Sequence, residues 1–274
     1  MLFRSGATTI NTDTITTSGT QTYTGAVTLG ADVTLTTSAA STSGNILFSS
    51  TVDSDGTSRA LITTTASDAR TTFSNKVGNG AALKSLSISA GLATINTDTV
   101  KTTGNQSYTG AVTLSANATL TTTSNGDVSF TSTVNGAQSL TISTNGTGDT
   151  TFSGAVGGTA ALTGLSVTTD VLSAGAVTLA SSSAMVVTTG GTSSITGAIT
   201  GTSATFEKAG AGNLTLSGTN TYTGTTTISA GTLTLTGSLS SSSSVVMTGT
   251  SIWDLQVSQT IARDRKSTRL NSSH

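Results

Sequence analysis

The sequence predicts an all-β protein whose short strands stack into a solenoid, with no significant helix. Three observations carry this. Thr, Ser and Gly number 65, 43 and 31 of 274 residues; Thr suits a pleated strand and Gly weakens a helix. Apolar residues alternate with Thr at a period of two, over stretches too short to be anything but strands. And one long stretch of sequence recurs further along the chain.

The composition also sets bounds. There is no Cys and no Pro, so disulfides and thiolate metal sites are excluded. The formal charge is −1, and the body holds no basic cluster, which argues against nucleic acid as a partner. No run approaches the roughly 18 apolar residues of a membrane helix. Leu, Ile, Val and Phe number 22, 12, 17 and 6, a small apolar share that a narrow core must use economically.

The repeat sets the architecture. Residues 9–37 (TINTDTITTSGTQTYTGAVTLGADVTLTT) and 94–122 (TINTDTVKTTGNQSYTGAVTLSANATLTT) are identical at 21 of 29 positions, at an offset of 85. Downstream, Phe48 corresponds to Phe130 at 82, and Phe73, Val77 and Leu86 to Phe152, Val156 and Leu165 at 79. Deletions of this kind belong in loops.

Within each copy the strands are Val-Thr-Leu steps. Val27 with Leu29, Val33 with Leu35, Val112 with Leu114, Leu140 with Ile142, Leu214 with Leu216 and Leu233 with Leu235 each place two apolar side chains on one face. These twelve are the expected core. Two apolar residues per strand suffice only if each coil stacks on the next. Gly and Asn between strands are expected to supply positive φ at the corners. Coils of roughly 20–28 residues would give about ten coils, a rod on the order of 50 Å long.

Both ends are set aside. Residues 264–274 (DRKSTRLNSSH) resemble the translation of a sequencing-library adaptor, and MLFRS at 1–5 resembles its reverse end. Such scars are excluded from fold reasoning. The lone His, His274, and most of the basic run Arg263, Arg265, Lys266 and Arg269 go with them. Residues 6–263 then read as a piece of a longer reading frame.

Residues 207–237 (EKAGAGNLTLSGTNTYTGTTTISAGTLTLTG) resemble the autotransporter-associated β-strand repeat of bacterial passenger domains. The matching positions are Lys208, Gly210, Gly212, Leu214, Leu216, Gly218, Asn220, Tyr222, Thr223, Gly224, Thr226, Ile228, Gly231, Leu233 and Leu235. Thr225 departs, standing where the family has a second Gly. Residues 9–205 are similar to the repeat region of filamentous-haemagglutinin-like adhesins, on stretches such as DVSFTSTVNGAQSLTI (127–142). The resemblance implies a right-handed parallel β-helix, secreted across a Gram-negative outer membrane and displayed or released. It divides the chain into haemagglutinin-like coils at 6–205, the passenger repeat at 206–239 and a truncated further coil at 240–263. It also implies an outer-membrane translocator as a partner, either a barrel in cis or a separate transporter.

Candidate sites are few. Asp53-Ser-Asp55-Gly56 opens like a calcium loop, but no bidentate acid follows at the required spacing, so an Asp-Gly turn is expected. Asp13 and Asp98 repeat without a second acid beside them, as do Asn11 and Asn96, so turn-stabilising roles are expected. Tyr23, Tyr108 and Tyr222 each precede Thr and Gly (Gly25, Gly110, Gly224). Stacked tyrosines can bind sugar rings, but here each ring is expected to cover the core's end with its hydroxyl in water. Gly210-Ala-Gly212 lacks the Lys-Ser/Thr of a phosphate loop. Asn105, Asn117, Asn145 and Asn213 head formal glycosylation acceptors. Trp253 is expected to open another coil, with its register open. No catalytic, cofactor-binding or metal-ligating residue is assigned.

The sequence therefore reads as a structural and adhesive stalk fragment, not an enzyme. The expected receptor lies on host cells, other bacteria or a matrix, with no nucleic acid and no small-molecule substrate. A carbohydrate-active β-helix would need a cluster of acids, and the 6–263 stretch has one Glu, Glu207. A Thr-rich ice-binding solenoid would need strict coil spacing, against which the changing offsets speak.

Overall fold

The computed structural model describes residues 2–3, 6–89, 91–258, 264–265 and 270–271. Most of the two adaptor-like ends therefore lies outside the described residues. The protein is a parallel β-solenoid of about 12 turns. Among the described residues there is no α-helix, and one short 3-10 turn occupies Ser41–Gly44.

The solenoid has three faces, visited in fixed order. The first face begins with Thr8–Ile10, Val27–Leu29 and Val52–Ser54. It continues, through bridges at Val77, into the strands from Thr99–Thr102 onward. The second face begins with Thr14–Thr17 and Val33–Thr37 and is one unbroken 13-stranded sheet. The third begins with Leu2–Phe3, Gln21–Tyr23 and Ile46–Phe48 and runs as a sheet to Val134–Asn135. Beyond that, single bridges at Val156 and Val177 carry it on. All strand pairs in the ladder are parallel, so the chain always passes each face in the same direction.

The inward members of the strands form one continuous core. All twelve residues of the Val-Thr-Leu and similar steps are buried. They stack in register: Leu35 over Thr63, Leu120 over Ile142, Leu214 over Leu233 and Leu216 over Leu235. Such pairings measure the turn, which runs from 28 residues (Leu35 to Thr63) through 19 (Leu214 to Leu233) down to 17 (Leu162 to Leu179). The lower end is slightly tighter than the composition suggested. Trp253 pairs with Leu233 and points inward, while Ile252 points out at 46% exposure, which fixes the register of the last coil.

The two sequence copies do not lie above one another. Gln21–Tyr23 is on the third face, but its counterpart Gln106–Tyr108 is on the second. Val27–Leu29 is on the first face and Val112–Leu114 on the third. Val33–Thr37 is on the second and Ala118–Thr122 on the first. Every equivalent strand has moved round by one face. The duplicated unit is thus three turns and two further faces, counted from Thr8–Ile10 to Leu92–Ile95. The fold accepts this because each face asks the same of a strand: two inward apolar residues and an outward small one.

The rotation carries a stack of rings with it. Tyr23, Phe48 and Phe73 lie face to face on the third face, with centroids 5.0 and 5.1 Å apart. Tyr108, Phe130 and Phe152 repeat this on the second face at 4.9 and 5.0 Å. Parallel strands in register force identical side chains into such ladders.

Candidate functional site: buried corners and open faces

The residues that the repeat preserves are corner and core residues. Tyr23, Tyr108 and Tyr222 are each no more than 1% exposed. Their hydroxyls do not reach water, contrary to the expectation from sequence. Tyr23 donates to Gln21 Oε1 at 3.0 Å and Tyr108 to Gln106 Oε1 at 3.0 Å, while Tyr222 pairs with Thr226 Oγ1 at 2.6 Å. Burial pushes all three phenols well above their ordinary value. Buried rings offer no platform to a sugar.

Gln21 and Gln106 complete these corners. Gln106 Nε2 donates to the Val100 carbonyl at 3.2 Å, to Thr102 Oγ1 at 3.3 Å and to the Thr121 carbonyl at 3.0 Å. Gln21 makes the equivalent contacts to Ile15, Thr17 and Thr36. A buried amide must be satisfied in this way. Sequence reasoning passed over both residues. Their signal was their identity in the two copies, at an inward position two residues before Tyr.

Gly25, Gly110 and Gly224 are needed for space. None has positive φ. A Cβ would lie 1.4 Å from the Gly91 carbonyl oxygen at Gly110, 2.1 Å from that of Gly6 at Gly25 and 2.3 Å from that of Ala204 at Gly224. The corner therefore packs backbone on backbone between turns. Gly110→Ala is expected to lower stability by about 1–3 kcal/mol, the usual cost of forced overpacking. Gly175→Ala, where a Cβ meets nothing within 4 Å, is expected to be neutral or slightly stabilising. Urea titrations of both variants check this pair, and equal effects would refute the close-approach argument.

The Asp and Asn residues act mainly between turns. Asp53 Oδ1 accepts from the Gly80 N–H at 2.8 Å. Asn105, Asp127 and Asp149 accept in succession from the N–H groups of Asp127, Asp149 and Val171. Each side chain thus caps the next turn's backbone. Among the described non-glycine residues with positive φ, only Asn125 is an Asn, so Asn does not in general serve the conformational role expected of it. Some contacts are local: Asn75 accepts from the Lys76 N–H, Asp98 accepts from the Thr99 hydroxyl, and Asp55 accepts from the Thr57 N–H and pairs with Arg59 at 3.0 Å. That ion pair, first, and the Thr57 bond hold its carboxyl below the usual range. Asp98 pairs with Lys76 at 3.6 Å. Among the described residues, no three His, Cys, Asp or Glu side chains gather to hold a metal ion.

A second corner is lined by a column of Thr hydroxyls. Thr122 donates to the Gly126 carbonyl at 2.6 Å and Thr144 to that of Gly148 at 2.7 Å. The column runs on through Thr169 to Thr189, whose Oγ1 is buried without a partner. The next member is Gly210. Gly210 has φ +76°, and a Cβ there would lie 2.5 Å from the Thr189 carbonyl oxygen; beside it the Lys208 ammonium donates to the carbonyls of Ala209 at 2.6 Å and Gly210 at 2.8 Å. Lys208 is fully buried with no carboxylate beside it, and desolvation pushes its pKa down to about 8. A shallow depression of about 250 Å³ lies outside this corner, bordered by Thr144, Asp170, Thr189 and Gly210.

The exposed charge is uneven. Lys84 is exposed, and Arg59, Arg70, Lys76 and Lys101 are half-buried, all in the first half of the chain. Asp32 draws in Lys84 at 3.3 Å. No face presents a row of cations.

The fold and these corners define a structural solenoid. Within it, residues 206–241 match the family model of the passenger-associated-transport-repeat. That span takes in the stretch at 207–237 whose Lys, Gly, Leu and Tyr-Thr-Gly pattern was identified above. The repeat and the parallel solenoid together fit an autotransporter passenger. No curated protein and no solved structure matches the chain.

Proposed function

We propose that this chain is rod from the passenger of a secreted or surface-exposed bacterial protein, and that its role is adhesive. The observation that carries this is continuity. Thr205–Ala209, at the start of the passenger repeat, pairs in register with Val177–Thr189, so the repeat is part of the same stack as everything before it. A rod in which each turn contacts only its neighbours suits a spacer that holds a binding surface away from a membrane.

The structural role is supported by how the acids are used. Asp53, Asp127 and Asp149 cap backbone N–H groups, and Glu207 accepts from Ser229. A glycoside hydrolase of the usual kind needs two such groups facing each other across the scissile bond. The partners of this reading are an outer-membrane translocator and a receptor on a host cell, another bacterium or a matrix. Nucleic acid does not fit the exposed charge, and a small-molecule substrate does not fit the shallow relief.

Joining the chain to an outer-membrane barrel in a Gram-negative host tests this. The chain is expected to become accessible to external protease and to raise adherence to epithelial cells, immobilised matrix proteins or sister cells. Retention in the periplasm would overturn the passenger reading. Display without any gain in adherence would overturn the adhesive one.

A further inference from the structure

The second face carries an array that the core and the corners do not use. Each of its strands points at least two alternate residues outward; a further outward column, on the N-terminal side of these two, includes Asp32, Asn105, Asp127 and Asp149 and lies outside the array. The first outward row runs from Thr14 to Thr234, through registered neighbours such as Ser194, Thr215 and Thr234. In every turn but one its member is Ser or Thr; the exception is Ile62. The second row runs from Thr16 to Thr236, and its one exception is Gly175. No charged side chain stands in either row until Asp254. The other faces are interrupted, the first by Asp53, Lys101 and Glu207 and the third by Arg70.

The spacing of this array is fixed by the backbone. Neighbouring turns lie about 4.8 Å apart, and outward residues two apart on a strand about 6.7 Å. Over eleven turns this makes a neutral hydroxyl lattice about 50 Å long. The changing sequence offsets counted against such a lattice, but they fall in the corners, and this sheet stays in register along its length.

The chemistry narrows what such a lattice can hold. Protein hot spots favour aromatic or Arg anchors, and the two rows of this face hold none, Ile62 being their one large apolar member. A sugar ring needs an exposed aromatic, and all three tyrosines are buried. A polyanion needs cations. Each hydroxyl contributes little on its own, because water competes for it. Many must therefore act together, on a partner that is rigid, neutral and periodic. Short side chains on a stiff sheet lose little entropy in doing so.

We propose that the second face binds ice. Its two repeats lie close to those of a prism face of hexagonal ice, and both surfaces are neutral lattices of hydroxyl groups. Thr methyl groups between the hydroxyls order the water that joins the two. The proposal goes beyond the passenger reading and does not depend on it, since the lattice belongs to the folded rod.

Thermal hysteresis of the full chain tests it. The chain is expected to hold growing ice crystals below their melting point and to shape them. Thr151→Lys and Thr215→Lys, both outward on this face, are expected to abolish the effect with the circular dichroism melt unchanged. Thr121→Lys, outward on the first face, is expected to leave it intact. A folded chain without hysteresis or crystal shaping overturns the proposal, as does equal loss on the two faces. Protease accessibility on cells is read separately, so a failure here leaves the passenger reading where it stands.

Discussion

Replacing Phe130 by Ala is expected to cost about 3–5 kcal/mol, the range for a buried aromatic removed from a packed core. The ring is sandwiched between Tyr108 and Phe152 at 4.9 and 5.0 Å and is 1% exposed. Its removal opens a gap in the middle of a ladder that the neighbouring turns cannot close, because their strands are pinned in register on both sides. The loss is local. In a stack where each turn touches only its neighbours, the damage is expected in the turns on either side of 130 and not at the ends. Amide hydrogen exchange reads this directly, with faster exchange around Gln106–Tyr108 and Thr150–Phe152 and unchanged exchange near Leu214–Leu216. Uniform protection loss along the rod would refute the quasi-one-dimensional picture.

Raising the pH above about 10 is expected to unfold the solenoid in a way set by its three tyrosines. Each phenol is held protonated in the fold by burial. In the unfolded chain each ionises near pH 10. The folded state then binds more protons than the unfolded one, so stability is fully present below that pH and falls above it. The slope is about 1.4 kcal/mol per pH unit for each tyrosine.

Lys208 works in the opposite sense. Its folded pKa, about 8, lies below its unfolded value of about 10.4. The unfolded chain therefore holds the proton through that window, and stability rises as pH climbs across it. Near the passenger repeat the profile should rise from about pH 8 and turn over near pH 10. Around Tyr108 it should only fall. Urea midpoints measured against pH, with Tyr108→Phe and Lys208→Met as comparators, test both limbs. A flat profile above pH 10 would show that the hydroxyls are not buried.

The core was legible in the sequence because alternation says which side chains point inward. Val27 with Leu29 and Leu214 with Leu216 need only a period of two to be placed. What alternation does not say is which of three sides a strand belongs to. The sides make equal demands, so the text of a strand carries no mark of its side. The corners were less legible still. That Tyr108 turns in and not out depends on Gln106, on Thr121 a turn away and on the ring of Phe130. That Lys208 is buried depends on the carbonyls of Ala209 and Gly210 and, a turn on, of Ala230, which take its ammonium. Such roles arise from the turn above or below, roughly twenty residues away. Local patterns of Gly, Asn and Thr suggested turns there, and the structure shows hydrogen bonds between turns instead.

The one-face rotation between the duplicated stretches bears on how such a gene can change length. Recombination between the codons of the two matching stretches would excise 85 codons and rejoin the chain without disturbing a single alternation of large and small side chains. Everything beyond the junction would swing about the long axis by a third of a revolution. The shortened protein would still fold, yet whatever its far end presents would point in a new direction.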